Sequence, residues 1–148
     1  MKNQDFTFTQ LTAQTPEAVF KAVINVRGWW TGYHSEIISG GTEKLNDEFT
    51  FSAGNGAHYT KQKLVEVIPN KKIVWLVTEC ELSFVEQKDE WVGTKIIFDI
   101  SKKGDKTQLV FTHEGLVPQG ECYDACAPAW TQYLQNRLLP LIAKGNTE

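Results

Sequence analysis

Few side chains in this sequence have the type and spacing for chemistry. His113-Glu114-Gly115 sets an imidazole beside a carboxylate, a combination that can exchange protons with a bound molecule. On a strand, neighbouring side chains point to opposite faces, so the two enter one pocket only where a bulge intervenes. His113 shares a face with Leu109 and Phe111, the expected core or cavity face, where a lone His is either a hydrogen-bonded structural residue or a general base. Cys122 and Cys126 are four apart and share a helical face if the helix reaches that far back, which would allow a redox pair or part of a metal set. Cys80 and His113 could complete such a set. Two ligands do not make a zinc site, though, and no second Cys or His pair is near in sequence, so small buried thiols are the expectation and no metal is assigned. Glu79 and Glu81 bracket Cys80, and Glu66 lies on the neighbouring segment. Any of them turned inward alone would have a raised pKa and mark a functional site; paired with Arg137 it would be structural. No nucleophile elbow, phosphate loop, HExxH or dinucleotide fingerprint occurs, and no cofactor is expected.

Composition narrows the options further. Apolar residues at 41% and charged residues at 22% of 148 describe an ordinary soluble globular protein, and the length suits one domain over residues 1–148. A net charge of −3 without a basic stripe argues against nucleic acid. The lysines at 61, 63, 71, 72, 102, 103 and 106 fall in or beside turns and read as solvated surface. Aliphatic runs reach about five residues, against ~20 needed to span a bilayer, so no membrane role is expected. The start MKNQDFTFTQ is unlike a signal peptide, and three unevenly spaced Cys make no disulfide framework; a reduced, cytoplasmic protein is the expectation. Aromatics are 11%, with five Trp, and serve either as core filling or as ligand contacts.

The elements that must position these groups follow from periodicity. Phe6, Phe8 and Gln10 alternate with Thr7, Thr9 and Leu11, predicting a strand. Thr15 as N-cap, Pro16 at the first position and Glu17 near the dipole predict a helix of about three turns, with Val19, Phe20, Val23 and Ile24 inward, ending before Gly28. Arg27 to Glu36 reads as a short second helix or turn that swings Trp29, Trp30 and Tyr33 over the core, or as an aromatic loop at a cavity mouth. Strands and turns fill Ile37 to Phe111. Glu48 to Ala53 and His58 to Ile68 flank Gly54-Asn55-Gly56, Ile73 to Leu82 is a central strand, and Trp91 to Ser101 turns through Lys103-Gly104-Asp105-Lys106 into Thr107 to Glu114. From Glu121 to Lys144, Cys126, Trp130, Leu134 and Leu138 recur every four residues, predicting a long amphipathic helix. Pro128 and Pro140 restrict its dependable part to Ala129–Leu139.

The order of elements, together with RGWWTGY after the first helix, EVIPNKKIVW, GTKIIFDISKKGDKTQLVFTHEG and APAWTQYLQNRL, resembles the START-like (SRPBCC, helix-grip) superfamily over nearly the whole chain. Within it the chain is most similar to the branch named after activators of the heat-shock-protein-90 ATPase, a name that ties the family to stress response. The resemblance implies an α+β fold: a curved antiparallel sheet of six or seven strands wrapped around a long C-terminal helix, with two short helices after the first strand. It also implies an elongated pocket for an apolar ligand. The leading expectation is a non-enzymatic cavity protein for a small apolar or aromatic molecule. The lining is drawn from Trp29, Trp30, Tyr33, Phe49, Phe51, Trp75, His113, Trp130 and Tyr133. Two alternatives stay open: an aromatase or cyclase type of enzyme using His113, His58 or an inward Glu, and a protein-interaction module with a chaperone as partner. Monomer and homodimer are both compatible with the sequence.

Overall fold

The computed structural model describes residues 5–144. It opens with β1 (Phe6–Thr12) and α1 (Pro16–Ile24). The helix starts where the sequence dictates. Thr15 Oγ1 accepts from the Ala18 N–H at 3.1 Å, and Pro16 occupies a position whose missing N–H removes no helical bond. The second short helix contracts to one 3-10 turn, Val26–Gly28, before Gly32 takes φ +106°. This turn aims two indoles inward: Trp30 N–H donates to Val26 O at 2.9 Å, and Trp29 and Trp30 are 0% and 2% exposed. Trp29 Nε1–H donates to Val23 O at 3.1 Å, so its polar atom is satisfied inside the core.

β2 (Ile37–Gly40), β3 (Glu48–Ala53), β4 (His58–Ile68), β5 (Lys72–Leu82), β6 (Lys95–Lys103) and β7 (Lys106–Glu114) form an antiparallel meander. β1 joins β7, giving a seven-stranded sheet in the order β1-β7-β6-β5-β4-β3-β2. Period-two alternation sets the faces: Ile96, Phe98 and Ile100 of β6 and Leu109, Phe111 and His113 of β7 all point into the core. The β4–β5 ladder shifts register between Lys61 and Gln62 and again between Leu64 and Glu66. Such bulges add local bend and twist, here in the middle of the sheet that curls around the last helix. Trp91 is not part of a strand. Residues 83–94 close into successive turns, with Val92 N–H donating to Asp89 O and Thr94 N–H to Trp91 O, and β6 begins only at Lys95.

The last helix runs over residues 123–144 as α2 (Tyr123–Tyr133), a π segment (Leu134–Leu138) and α3 (Leu139–Lys144). It extends further in both directions than its two prolines suggested. Pro128 lies inside α2 and forfeits one backbone bond without ending it. Before Pro140 the helix widens, with Leu139 N–H donating to Leu134 O five residues back. A π turn is one way a helix adjusts locally rather than breaking. Its buried stripe, Cys126, Trp130, Tyr133, Leu134, Leu138 and Ile142, lies on the concave face of the sheet. Among the described residues, no helix is long and apolar enough to cross a membrane.

Replacing Thr15 by Ala removes the cap of α1 and is expected to cost about 1 kcal/mol. Urea unfolding monitored by far-ultraviolet circular dichroism checks this; an unchanged midpoint would show that the cap contributes nothing.

Candidate functional site

Packing between helix and sheet is solid at one end only. Trp29, Phe49, Trp75, Phe98 and Phe111 fill the inner end; Trp75 lies edge-on to Phe49 and Phe98, both at 5.0 Å between ring centroids. Towards the amino-terminal half of α2 the core opens into a cavity of about 310 Å³. Its floor is Phe51 and Ala53 of β3 and His58 of β4, its roof Ala125, Cys126, Ala129, Trp130 and Tyr133 of α2. Phe84 and Trp91 of the β5–β6 loop and His34 complete the rim.

The floor-to-roof distance is set by flat rings that stand nearly parallel. Trp30 stacks on Phe51 at 3.7 Å and 10°, and on Trp130 at 5.0 Å and 24°, while Trp130 lies 5.9 Å and 13° from Trp91. Trp130 is fixed by more than packing. Its Nε1–H donates to His113 Nδ1 at 3.0 Å. His113 Nδ1 is therefore the acceptor, and Nε2 carries the proton that it donates to Thr94 Oγ1 at 2.9 Å. Thr94 in turn donates to Trp91 O at 2.6 Å. Both ring nitrogens of His113 and the Trp130 N–H are thus satisfied. Burial, with a smaller contribution from His58, pushes the His113 imidazole down to about 3, so it is neutral at ordinary pH.

A second tie closes the other side of the roof. Glu36 accepts from the Gly32 N–H at 2.9 Å, from the Tyr33 N–H at 3.1 Å and from the Tyr133 hydroxyl at 2.6 Å. Partial burial works to raise the Glu36 pKa, but these hydrogen bonds outweigh it and hold the carboxyl below its usual range. Burial and the Glu36 carboxylate together push the Tyr133 phenol well above its ordinary value. Arg137 packs over Gly32, where an added Cβ would lie 2.9 Å from its Cζ. Neither alternative read for Glu66, Glu79 and Glu81, an inward lone Glu or a Glu–Arg137 pair, is seen among the described residues. Glu79 and Glu81 are exposed, Glu79 accepts from the Tyr59 hydroxyl at 3.1 Å, and Glu66 is absent from the cavity wall.

Of the residues expected to contact a ligand, Trp30, Phe51, Trp130 and Tyr133 border this cavity. Trp29, Phe49 and Trp75 belong to the solid core instead: Phe49 on β3 and Trp75 on β5 pack at the closed end, and Trp29, just after the 3-10 turn, is held there by its bond to Val23 O. His113 lies behind Trp130, and Tyr33 packs edge-on to Tyr133 at 5.4 Å outside the wall. Sequence reasoning missed Trp91, whose strand assignment hid its place in a turn, and Phe84, which lies just past the strand read over Ile73 to Leu82 and was given no role. It also missed the Ala residues, whose small size makes the space and leaves no pattern.

Cys122 and Cys126 stand side by side across one helical turn, with Cα atoms 5.4 Å apart, within the range a disulfide can span. Cys80 is free, and burial pushes its thiol up to about 11, so it is a poor nucleophile. Among the described residues no group of three or more His, Cys, Asp or Glu side chains is placed to hold a metal ion. His58 lies at the cavity floor, and burial, with the nearby His34, pushes its imidazole down to about 4.

The architecture has close parallels. A sequence profile described as "Activator of Hsp90 ATPase homolog 1-like protein" matches residues 13–142. The solution structure of the Aha1 dimer from Colwellia psychrerythraea superposes with a TM-score of 0.71 at 22% identity, covering 96% of this chain and 99% of that one. A crystal structure of a Mesorhizobium loti protein gives 0.69 at 17% identity, covering 96% and 98%. A protein of the dynemicin biosynthetic locus gives 0.61 at 11% identity, covering 97% of this chain and 47% of that one. No curated protein matches by sequence.

The two buried histidines give a pH prediction. Both have folded pKa values, about 3 and about 4, below the ordinary 6.5. The unfolded chain therefore binds more protons below 6.5, so stability is complete above that pH and falls as the medium acidifies. Between pH 6 and pH 5 each histidine is expected to contribute a loss of about 1.2 kcal/mol. Urea unfolding at pH 7, 6 and 5 measures the slope, which His113→Gln should reduce by about half. A stability that is flat from pH 7 to pH 5 would contradict the burial of neutral imidazoles.

Proposed function

We propose that this chain, which belongs to the Activator of Hsp90 ATPase homolog 1-like family, is a non-enzymatic binding protein for a small apolar or aromatic molecule. The observation that carries this reading is the cavity of about 310 Å³, walled almost entirely by carbon and bounded by sheet, helix and loop together. That volume falls at the lower end of the ~300–1,000 Å³ usual for small-molecule sites. The geometry gives little to acid/base catalysis. His113 has both ring nitrogens engaged, and no carboxylate reaches the wall. A cyclase-type reaction would fall to His58 alone, a weak base at a pKa of about 4.

A surface-reading role with a chaperone, which the family description suggests, has less support. A core opened by a cavity is what a pocket function needs, and the large exposed apolar side chains, Leu11, Ile37 and Leu45 among them, are scattered over β1, β2 and a turn. A homodimer like the one in the Colwellia title would find unpaired strand edges at β1 and β2, and a cytoplasmic setting suits the chain's composition.

Titration with a panel of uncharged aromatic probes, followed by Trp fluorescence, is expected to give saturable changes. Ala129→Phe adds a ring to the roof and should weaken binding more than tenfold with the fold intact by circular dichroism. No saturable binding by the wild-type chain, or equal binding by the variant, would remove the reading.

A further inference from the structure

We propose that Cys122 and Cys126 are a redox-responsive staple for the outer wall of the cavity: oxidised to a disulfide by a hydroperoxide, the pair locks the first turn of α2 and, through Glu90, the loop of residues 83–94. The two thiols are the resting form, and the staple acts on the wall whatever the cavity holds.

The first turn of α2 is the part of the last helix least able to hold itself. Cys122 occupies the N-cap without a side-chain hydrogen bond to the turn that follows. Pro128 has no N–H to offer the Asp124 carbonyl four residues back, so the ladder loses a rung between this turn and the rest of the helix. Cys122 O closes the turn, accepting from Ala125 N–H at 2.9 Å and from Cys126 N–H at 2.6 Å.

This turn and the loop hold each other. Cys122 N–H donates to the Glu90 carboxylate, at 3.1 and 3.3 Å from its two oxygens, and Gln87 N–H donates to Glu121 Oε1 at 2.6 Å. Gly120 admits the Glu90 side chain, since an added Cβ there would collide with Glu90 Oε2. Both partners carry wall: Ala125 and Cys126 from the helix, Phe84 and Trp91 from the loop. A change that loosens or fixes the turn is therefore passed to both.

The chemistry follows from position. The two Cα atoms are 5.4 Å apart, inside the ~4.4–6.8 Å that a disulfide spans. Cys122 is fully buried, whereas Cys126 borders the cavity, so a small peroxide meets Cys126 first. Its sulfur attacks one peroxide oxygen; the S–O bond forms, the O–O bond breaks, and the other oxygen leaves with the thiol proton as water or alcohol. Cys122 Sγ then attacks Cys126 Sγ. The S–S bond forms, the S–O bond breaks, and the departing hydroxide takes the Cys122 proton and leaves as water, so two thiols have given two electrons to one peroxide. Cys80 is free, and its thiol, pushed up to about 11, takes no part.

The effect is a limit on opening. With free thiols the turn can unwind, and four extended residues carry the two Cα atoms to about 14 Å apart. A disulfide holds them within ~6.8 Å, which removes those open forms and leaves the closed turn favoured.

The test compares the protein reduced with dithiothreitol and the same protein after hydrogen peroxide at pH 7. The intact mass should fall by two hydrogens, peptide mapping should place the new bond between Cys122 and Cys126, and dithiothreitol should reverse it. Backbone amide hydrogen exchange should slow about tenfold over residues 122–127 and 84–91 and stay within about twofold in β6 and β7. Cys122→Ser and Cys126→Ser should each abolish the redox difference. Glu90→Ala should largely remove the slowing over residues 84–91 while keeping it over 122–127. Peroxide that leaves the mass unchanged, or only adds oxygen, overturns the pair. A disulfide that alters exchange in neither segment overturns the staple, and slowing confined to residues 122–127 in the wild type overturns the relay through Glu90. The wild-type comparison decides all three even where a variant does not fold. No ligand is added, so each of these failures leaves the binding reading standing.

Discussion

The hydrogen bond from Trp130 Nε1 to His113 Nδ1 is the contact on which the site depends. A tryptophan on the buried stripe of the last helix needs a partner for its N–H. Donation to β7 supplies one. The indole then lies flat against Trp30 and Trp91, and its width holds the helix away from the sheet. His113 can act as this anchor because the other nitrogen is held by Thr94, which fixes the tautomer. An imidazole that gained a proton would have no acceptor left for the indole N–H. Burial that keeps His113 neutral is thus part of what keeps the cavity open.

The Glu36–Tyr133 bond does similar work one turn further along the helix. It ties the loop after the 3-10 turn to the same face that carries Trp130, so loop and helix approach the sheet as one unit. Together the two ties explain why the solid and open ends of the core coexist. Where rings interleave edge to face, around Trp75, no space remains. Where they are held parallel by hydrogen bonds to fixed partners, shape prevents collapse.

The fold was legible because its signals are local. Alternation in β6 and β7, the Thr15-Pro16 start of α1 and the four-residue stripe of the last helix each dictate an element, and their order fits the helix-grip arrangement. The prolines misled, since the penalty for one inside a helix is a few kcal/mol and burial of the stripe around it can exceed that. The site was half legible. Trp30, Phe51, Trp130 and Tyr133 lie on predictable faces, but which aromatic on a face meets a neighbour and which meets a void depends on distances across the sheet.

Family membership fixes the architecture, and what distinguishes this chain is the chemistry of one wall: stacked indoles and no formal charge. The most direct measurement is the set of indole N–H resonances in a ¹H–¹⁵N spectrum of the protein as 2-naphthol is added. The Trp30, Trp91 and Trp130 signals, from the cavity wall, should move, and Trp29, bonded to Val23 O in the closed end, should stay in place. A Trp29 shift as large as that of Trp91, or no shift in any indole at saturating probe, would contradict a ligand held at this cavity.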